Sequence, residues 1–102
     1  MIYEIKFKEG AEADFLGFDG RVKKLIAKQL QKIAISPELG ELLGNKAGFD
    51  LSGCRKMYVD NKRVRIVYRI VEDKIVVEVI AIGDRDEMSV YEDAAQRIKG
   101  NK

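Results

Sequence analysis

The chain contains no histidine and only one cysteine, Cys54. Without histidine there can be no Ser–His–Asp triad, no histidine pair of the kind many ribonucleases use, and no imidazole base poised near neutrality. Any acid–base chemistry must come from Lys, Arg, Tyr, Asp or Glu. A lone cysteine forbids an internal disulfide, and with no histidine a structural zinc site is not expected. Cys54 reads as a small, half-buried residue at the start of a strand, with nothing to activate it. No apolar run is long enough to cross a bilayer, and the first residues, MIYEIKFK, lack the apolar core of a secretion signal. The expected setting is cytoplasmic, with no membrane partner.

Internal repeats and low-complexity segments are also absent. What remains is one domain spanning residues 1–102, too short for two cores. A hydrophobic share of 46% with 35% charged residues suits a thin sheet-and-helix domain with a large solvated surface. The net charge of +2 is uninformative beside the distribution of the charges.

Residues 2–8 alternate as a first strand, with Ile5 and Phe7 as inward candidates. A short helical segment over 10–18 carries Ala11, Phe15 and Phe18 at helical spacing. Asp19 is a candidate N-cap for a stronger helix over 20–35, whose apolar stripe is Val22, Leu25, Ile26, Leu30 and Ile33. Ser36-Pro37 ends it, because the residue before proline avoids helical geometry. The glycine-rich stretch 37–53 reads as a connection with a short helical turn near 38–43. Strands follow over 54–59, 63–70 and 74–82, with turns at Asp60-Asn61 and Glu72-Asp73. The last strand, apolar on both faces except at Glu78, belongs in the middle of a sheet. Ser89 and Glu92 have capping-box spacing, so a short helix over 90–98 is expected. The expected fold is α+β, in the order β-α-α-β-β-β-α. It has a small, antiparallel-rich four-stranded sheet, an N-terminal helical hairpin packed on one face and a short C-terminal helix. The helices are expected to cover one sheet face.

If the 54–70 hairpin turns on Asp60-Asn61 alone, Met57 faces Val64, Tyr58 faces Arg63 and Lys56 faces Arg65. Met57, Val64, Ile66 and Tyr68 then point into the core. Lys56, Tyr58, Arg63, Arg65 and Arg69 share the other face. This span holds six Lys/Arg against one acid, Asp60. Such a face is either kept for solubility or binds an anion; a solubility face would mix signs, so the hairpin favours the anion site. RNA cleavage without a metal needs a base for the ribose 2′-OH, cations around the phosphorane and an acid for the departing 5′-oxygen. Clustered Lys and Arg can stabilise the phosphate, and crowding is expected to depress a lysine pKa toward a useful base. Arg21, Lys24, Lys28 and Lys32 form a second basic stripe on the long helix. It reads as a solvated face or as a contact for RNA or an acidic protein segment.

The stretch 51–98 resembles the C-terminal half of the RelE/ParE toxins. The matching features are the strand start Gly53-Cys54-Arg55-Lys56, the segment Arg65-Ile66-Val67-Tyr68 after a tight turn, VVEVIAIG over 76–83, and Arg85 followed six residues later by Tyr91. The resemblance implies a toxin of a bacterial toxin–antitoxin pair, needing no cofactor, that cleaves mRNA on the ribosome. It assigns Lys56 as base or phosphate binder, Arg65 to the phosphorane, Arg85 to the phosphate or leaving group, and Tyr91 to stacking on a nucleotide. From its residues alone, Tyr91 could equally anchor its short helix. Gly83 would allow a tight turn that presents Arg85. Tyr58 stands where RelE proper has a second lysine, and could act in orientation or proton transfer. Asp84 and Asp86 flank Arg85, where the family is often basic. Further RNA contacts are expected from Lys62, Arg63, Arg69, Lys24 and Lys28. An antitoxin is expected to lay an acidic, amphipathic segment across the basic face. The same fold is compatible with a ParE-like, non-catalytic inhibitor of DNA gyrase, or with a degenerate homologue that only binds an antitoxin.

Overall fold

A computed structural model describes residues 2–46, 48–84 and 89–99. Its elements are β1 (Glu4–Phe7), α1 (Ala11–Leu16), α2 (Gly20–Ile35), a 3-10 turn (Pro37–Leu39), β2 (Glu41–Lys46), β3 (Phe49–Val59), β4 (Val64–Val71), a second 3-10 turn (Glu72–Lys74), β5 (Val76–Asp84) and α3 (Ser89–Lys99). The sheet has five strands in the order β1-β5-β4-β3-β2, parallel between β1 and β5 and antiparallel elsewhere. The α+β class is as expected, and the apolar last strand lies inside the sheet.

The fifth strand, β2, lies within the stretch read from sequence as a connection. Its glycines are part of the ladder: Gly44 and Gly53 adopt φ of +64° and +85°, and the β2–β3 register shifts between Leu42 and Gly44. Glycine here marks a bent, bulged hairpin.

Asp19 caps α2 as its position suggested, accepting a hydrogen bond from the Val22 amide at 2.9 Å. Val22, Ile26, Leu30 and Ile33 are buried with Ile66, Tyr68, Val77 and Val79 in one core, between α1–α2 and the sheet. The Tyr68 hydroxyl donates to the Pro37 carbonyl at 2.8 Å and accepts from the Gly40 amide at 2.9 Å, tying the first 3-10 turn to β4. A Cβ at Gly40 would collide with that hydroxyl.

A second core lies on the opposite face. Leu43, Leu51, Cys54, Val67, Ile80, Ala81, Val90, Tyr91 and Ala94 are packed there, beneath α3. Helices therefore cover both faces, not one. Gly83 is a residue of β5, not of a turn. An added Cβ would lie 3.0 Å from Val90 Cβ, so its bareness lets α3 sit close to the strand. Cys54 lies well inside β3 and is fully buried, not half-buried at a strand start; burial pushes its thiol pKa up, which keeps it unreactive.

Candidate active site

The β3–β4 hairpin closes through Asp60–Arg63, a four-residue turn in place of the two-residue one expected. Asp60, Asn61 and Lys62 all have φ between 54° and 67°, and the Arg63 amide donates to the Asp60 carbonyl at 3.0 Å. Asp and Asn tolerate this left-handed geometry; Lys62 is the unusual member. The register moves by two: Met57 pairs with Ile66, Tyr58 with Arg65, and Lys56 with Val67. A shift of two leaves every side chain on its expected face, because strand side chains alternate with period two. Lys56, Tyr58 and Arg65 accordingly lie on the α3 face, away from α1 and α2.

There they converge with Tyr91. The Lys56 ammonium donates to the Tyr58 hydroxyl at 3.1 Å and lies 4.9 Å from the centre of its ring. The Arg65 guanidinium lies 4.4 Å from the Tyr91 ring centre and 5.7 Å from that of Tyr58. Glu41, opposite Lys56 on β2, brings a carboxylate to 3.6 Å from the ammonium. Glu41 was not singled out in sequence because its strand was not recognised; Glu41-Leu42-Leu43 alternates too briefly before Gly44.

Two properties depart from expectation. Arg65 is only 6% exposed and Tyr91 only 2%, so Tyr91 is a buried cover on Arg65 and offers no open ring face to a nucleotide in this conformation. Its hydroxyl is buried without a hydrogen-bond partner among the described residues. Protonation also runs opposite to the expected lysine base. Burial works to lower the Lys56 pKa, but the hydrogen bond to Tyr58 and the nearby Tyr91, Tyr58 and Glu41 groups outweigh it, and the net shift is upward. Tyr58 moves down: the Lys56 hydrogen bond lowers it, burial opposes, and Arg65 lowers it further. Lys56 is thus held as a cation, and Tyr58 is the group made easier to ionise.

The remaining basic residues divide. Arg69 is on the same face but four residues along β4, about 13 Å from Arg65 at strand rise. Glu78 engages it at 2.8 Å, so its charge is compensated. Lys62 and Arg63 are exposed in the hairpin turn. Lys62 joins Lys28 and Lys32 around a groove of about 410 Å³ floored by Leu25 and Val59; Lys24 is exposed on α2 outside it. Arg21 forms a double hydrogen bond with Asp60, at 3.0 and 3.1 Å, fastening α2 to the turn. Arg85, with Asp86, lies outside the described residues.

Comparisons with known proteins agree on one family. A model of the ParE toxin of the type II toxin–antitoxin system parDE matches residues 5–88. The mRNA interferase toxin RelE of Escherichia coli is 30% identical over 100 residues, covering 96% of this chain and 99% of that one. A free-state variant of Escherichia coli RelE superposes with a TM-score of 0.76 at 28% identity, covering 92% of this chain and 95% of that chain. In the intact Escherichia coli RelBE toxin–antitoxin complex, the matching chain gives 0.69 at 26% identity, covering 83% and 99%.

Proposed function

Because the chain belongs to the RelE/ParE superfamily of toxins from type II toxin–antitoxin systems, we propose that it is an endoribonuclease that cuts messenger RNA on the ribosome without a metal ion. The observation that carries this reading is the pairing of two cations with two tyrosines: Lys56 on the Tyr58 hydroxyl, and Arg65 against Tyr91 and Tyr58.

In this reaction Tyr58, as phenolate, takes the proton of the ribose 2′-OH. The freed oxygen attacks the adjacent phosphorus, and the bond from phosphorus to the 5′-oxygen breaks. Lys56 and Arg65 hold positive charge at the phosphorane, where a fixed donor contributes most. The family resemblance adds Arg85, whose charge would stabilise the departing 5′-oxygen while that oxygen takes up a proton from water. A ribosome that presents the message in a set geometry would supply much of the positioning, so a sparse site suffices. Lys62, Arg63, Lys28 and Lys24 would steer the RNA backbone, while Arg69 is occupied by Glu78. RelE is known in complex with RelB, and a cognate antitoxin covering the cationic face is proposed here too.

The test is cleavage of naked RNA at high protein concentration, with and without EDTA. Products ending in a 2′,3′-cyclic or 3′-phosphate, no dependence on chelator and no cutting of DNA are expected. Products with a 3′-hydroxyl and a 5′-phosphate would rule the mechanism out.

A second reading, inhibition of DNA gyrase without chemistry, is favoured by the match to a ParE toxin model and by the buried state of Arg65. Loss of gyrase supercoiling activity with no RNA cleavage in parallel assays would establish it.

A further inference from the structure

Strand β5 carries one residue too many for its partner. Val67 of β4 faces Ala81 and Tyr68 faces Val79, which leaves Ile80 as a bulge. The bulge puts Ile80 and Ala81 together in the core beneath α3, while Val79 and Ile82 both point to the α1–α2 side. On the other side of β5, β1 ends at Phe7, opposite Val79, and the Lys8 amide makes the last contact with the Val79 carbonyl at 2.9 Å. Beyond that point no described strand pairs with β5 on this side, although β4 continues along the other, and the backbone groups that face outward need other partners.

Two side chains supply them. Arg97, in the last turn of α3, donates to the Ile80 carbonyl at 2.9 Å, and Asp14 of α1 accepts from the Ile82 amide at 3.1 Å. The two also bind each other, at 2.8 Å through Nη1 and 3.4 Å through Nη2. Asp93, one helical turn before Arg97, lies 3.9 Å from the same guanidinium. Gly10, with φ of +96°, makes the room: a Cβ there would lie 2.7 Å from Arg97 Nε. Since α1 and α3 lie on opposite faces, this clasp reaches round the sheet edge and joins the two helical layers.

We propose that Asp14 and Arg97 are positioning residues that set Tyr91 on Arg65 by fixing α3 to the bulged edge of β5. An eleven-residue helix has little stability of its own and takes its place from what it is fastened to. At the front of α3 Val90 packs on Gly83; at the back Ala94, Ala95 and Ile98 pack on the core, and Arg97 supplies the directional bond to the strand. The six residues from Tyr91 to Arg97 span about 9 Å of rigid helix, so freedom at the back is transmitted to the tyrosine. The catalytic consequence rests on the nuclease reading above; the effect on Tyr91 does not.

Tyrosine nitration of the full chain, mapped by mass spectrometry, separates the two. Tyr91 and Tyr68 are both buried in the wild type and should resist the reagent, whereas Tyr58, partly exposed, should react. In Arg97→Gln and in Asp14→Asn, Tyr91 should nitrate about tenfold faster through local opening of α3, with Tyr68 unchanged as the internal control. Arg97→Lys, which keeps the charge, should recover part of the protection. RNA cleavage by Arg97→Gln should fall in kcat with KM little altered. Unchanged Tyr91 reactivity would overturn the proposal, as would a rise of Tyr91 and Tyr68 together, which signals general unfolding. Full cleavage by a variant whose Tyr91 is released would overturn the positioning role. A wild type that cuts no RNA but shows the nitration pattern would instead remove the nuclease reading and leave the clasp in place.

Discussion

The guanidinium of Arg65 is covered by the ring of Tyr91 at 4.4 Å, a cation held against an aromatic face inside the protein instead of at its surface. Such a contact is worth roughly 0.5–2 kcal/mol depending on desolvation. It gives Arg65 a structural role beside the catalytic one proposed for it.

Arg65→Ala should therefore do two things. Cleavage should fall about 100-fold, on the order of 3 kcal/mol of lost transition-state stabilisation. The melting temperature should also fall, because the substitution leaves a gap beneath Tyr91; an exposed arginine would not have this effect. Arg65→Lys should retain more stability than activity, since an ammonium keeps the charge but loses the flat stacking surface. Thermal melts and single-turnover RNA cleavage on the same preparations measure both. Equal losses of activity in the two variants, with wild-type melting, would mean the stack contributes nothing.

On the proposed mechanism, in which the Tyr58 phenolate is the base, the cleavage rate should rise with pH through an ionisation below the ordinary tyrosine value of about 10, because the Tyr58 pKa is lowered. Tyr58→Phe should remove that limb. Lys56→Ala should move it to higher pH, since the Lys56 hydrogen bond is the largest cause of the shift. A pH–rate profile of Tyr58→Phe that overlays the wild type would transfer the base role elsewhere.

Tyr68→Phe should destabilise the domain by about 1–3 kcal/mol, the cost of leaving a buried amide and carbonyl without their partner. The groups affected are the Gly40 amide and the Pro37 carbonyl. Urea denaturation gives the value. A change within error would show that water replaces the hydroxyl.

The Arg21–Asp60 pair should contribute to stability at neutral pH and lose that contribution in acid. Asp60 has its pKa lowered, first by the Arg21 hydrogen bond, so the folded state favours its ionised form. The contribution is complete above the unfolded carboxylate value of about 3.9 and is lost as pH falls through the lower folded value. Asp60→Asn should therefore differ from wild type in urea midpoint at pH 7, and the two should converge as the pH falls below that window. A difference that persists in acid would mean the substitution acts through the left-handed turn, not through the ion pair.

Much of this molecule could be read without coordinates. The α2 stripe, its Asp19 cap, the inward Tyr68 and the two-faced last strand follow from periodicity and capping, which are local and survive any packing. So does the shared face of Lys56, Tyr58 and Arg65. A four-residue turn in place of a two-residue one shifted their partners without turning any of them over, since the strand period is two. The family motif singled out Lys56, Arg65 and Tyr91, and the structure brings these three together. Tertiary structure alone decided what depends on long-range placement. Gly44 and Gly53 look like loop residues until the β2–β3 pairing shows them bending a strand. Gly83 looks like a turn until Val90 is packed on it. The burial of Arg65 under Tyr91, which reverses its expected exposure, follows from α3 crossing to the opposite face, a choice not encoded in either residue's neighbours. The reversed proton affinities of Lys56 and Tyr58 arise the same way. Like charges in a row suggest a depressed lysine, but the Tyr58 hydroxyl 3.1 Å away, with Tyr91 from α3 and then Glu41 from a third strand adding to it, outweighs burial and decides the sign. Electrostatics depends on distance in space, and that distance is the quantity a linear sequence does not contain.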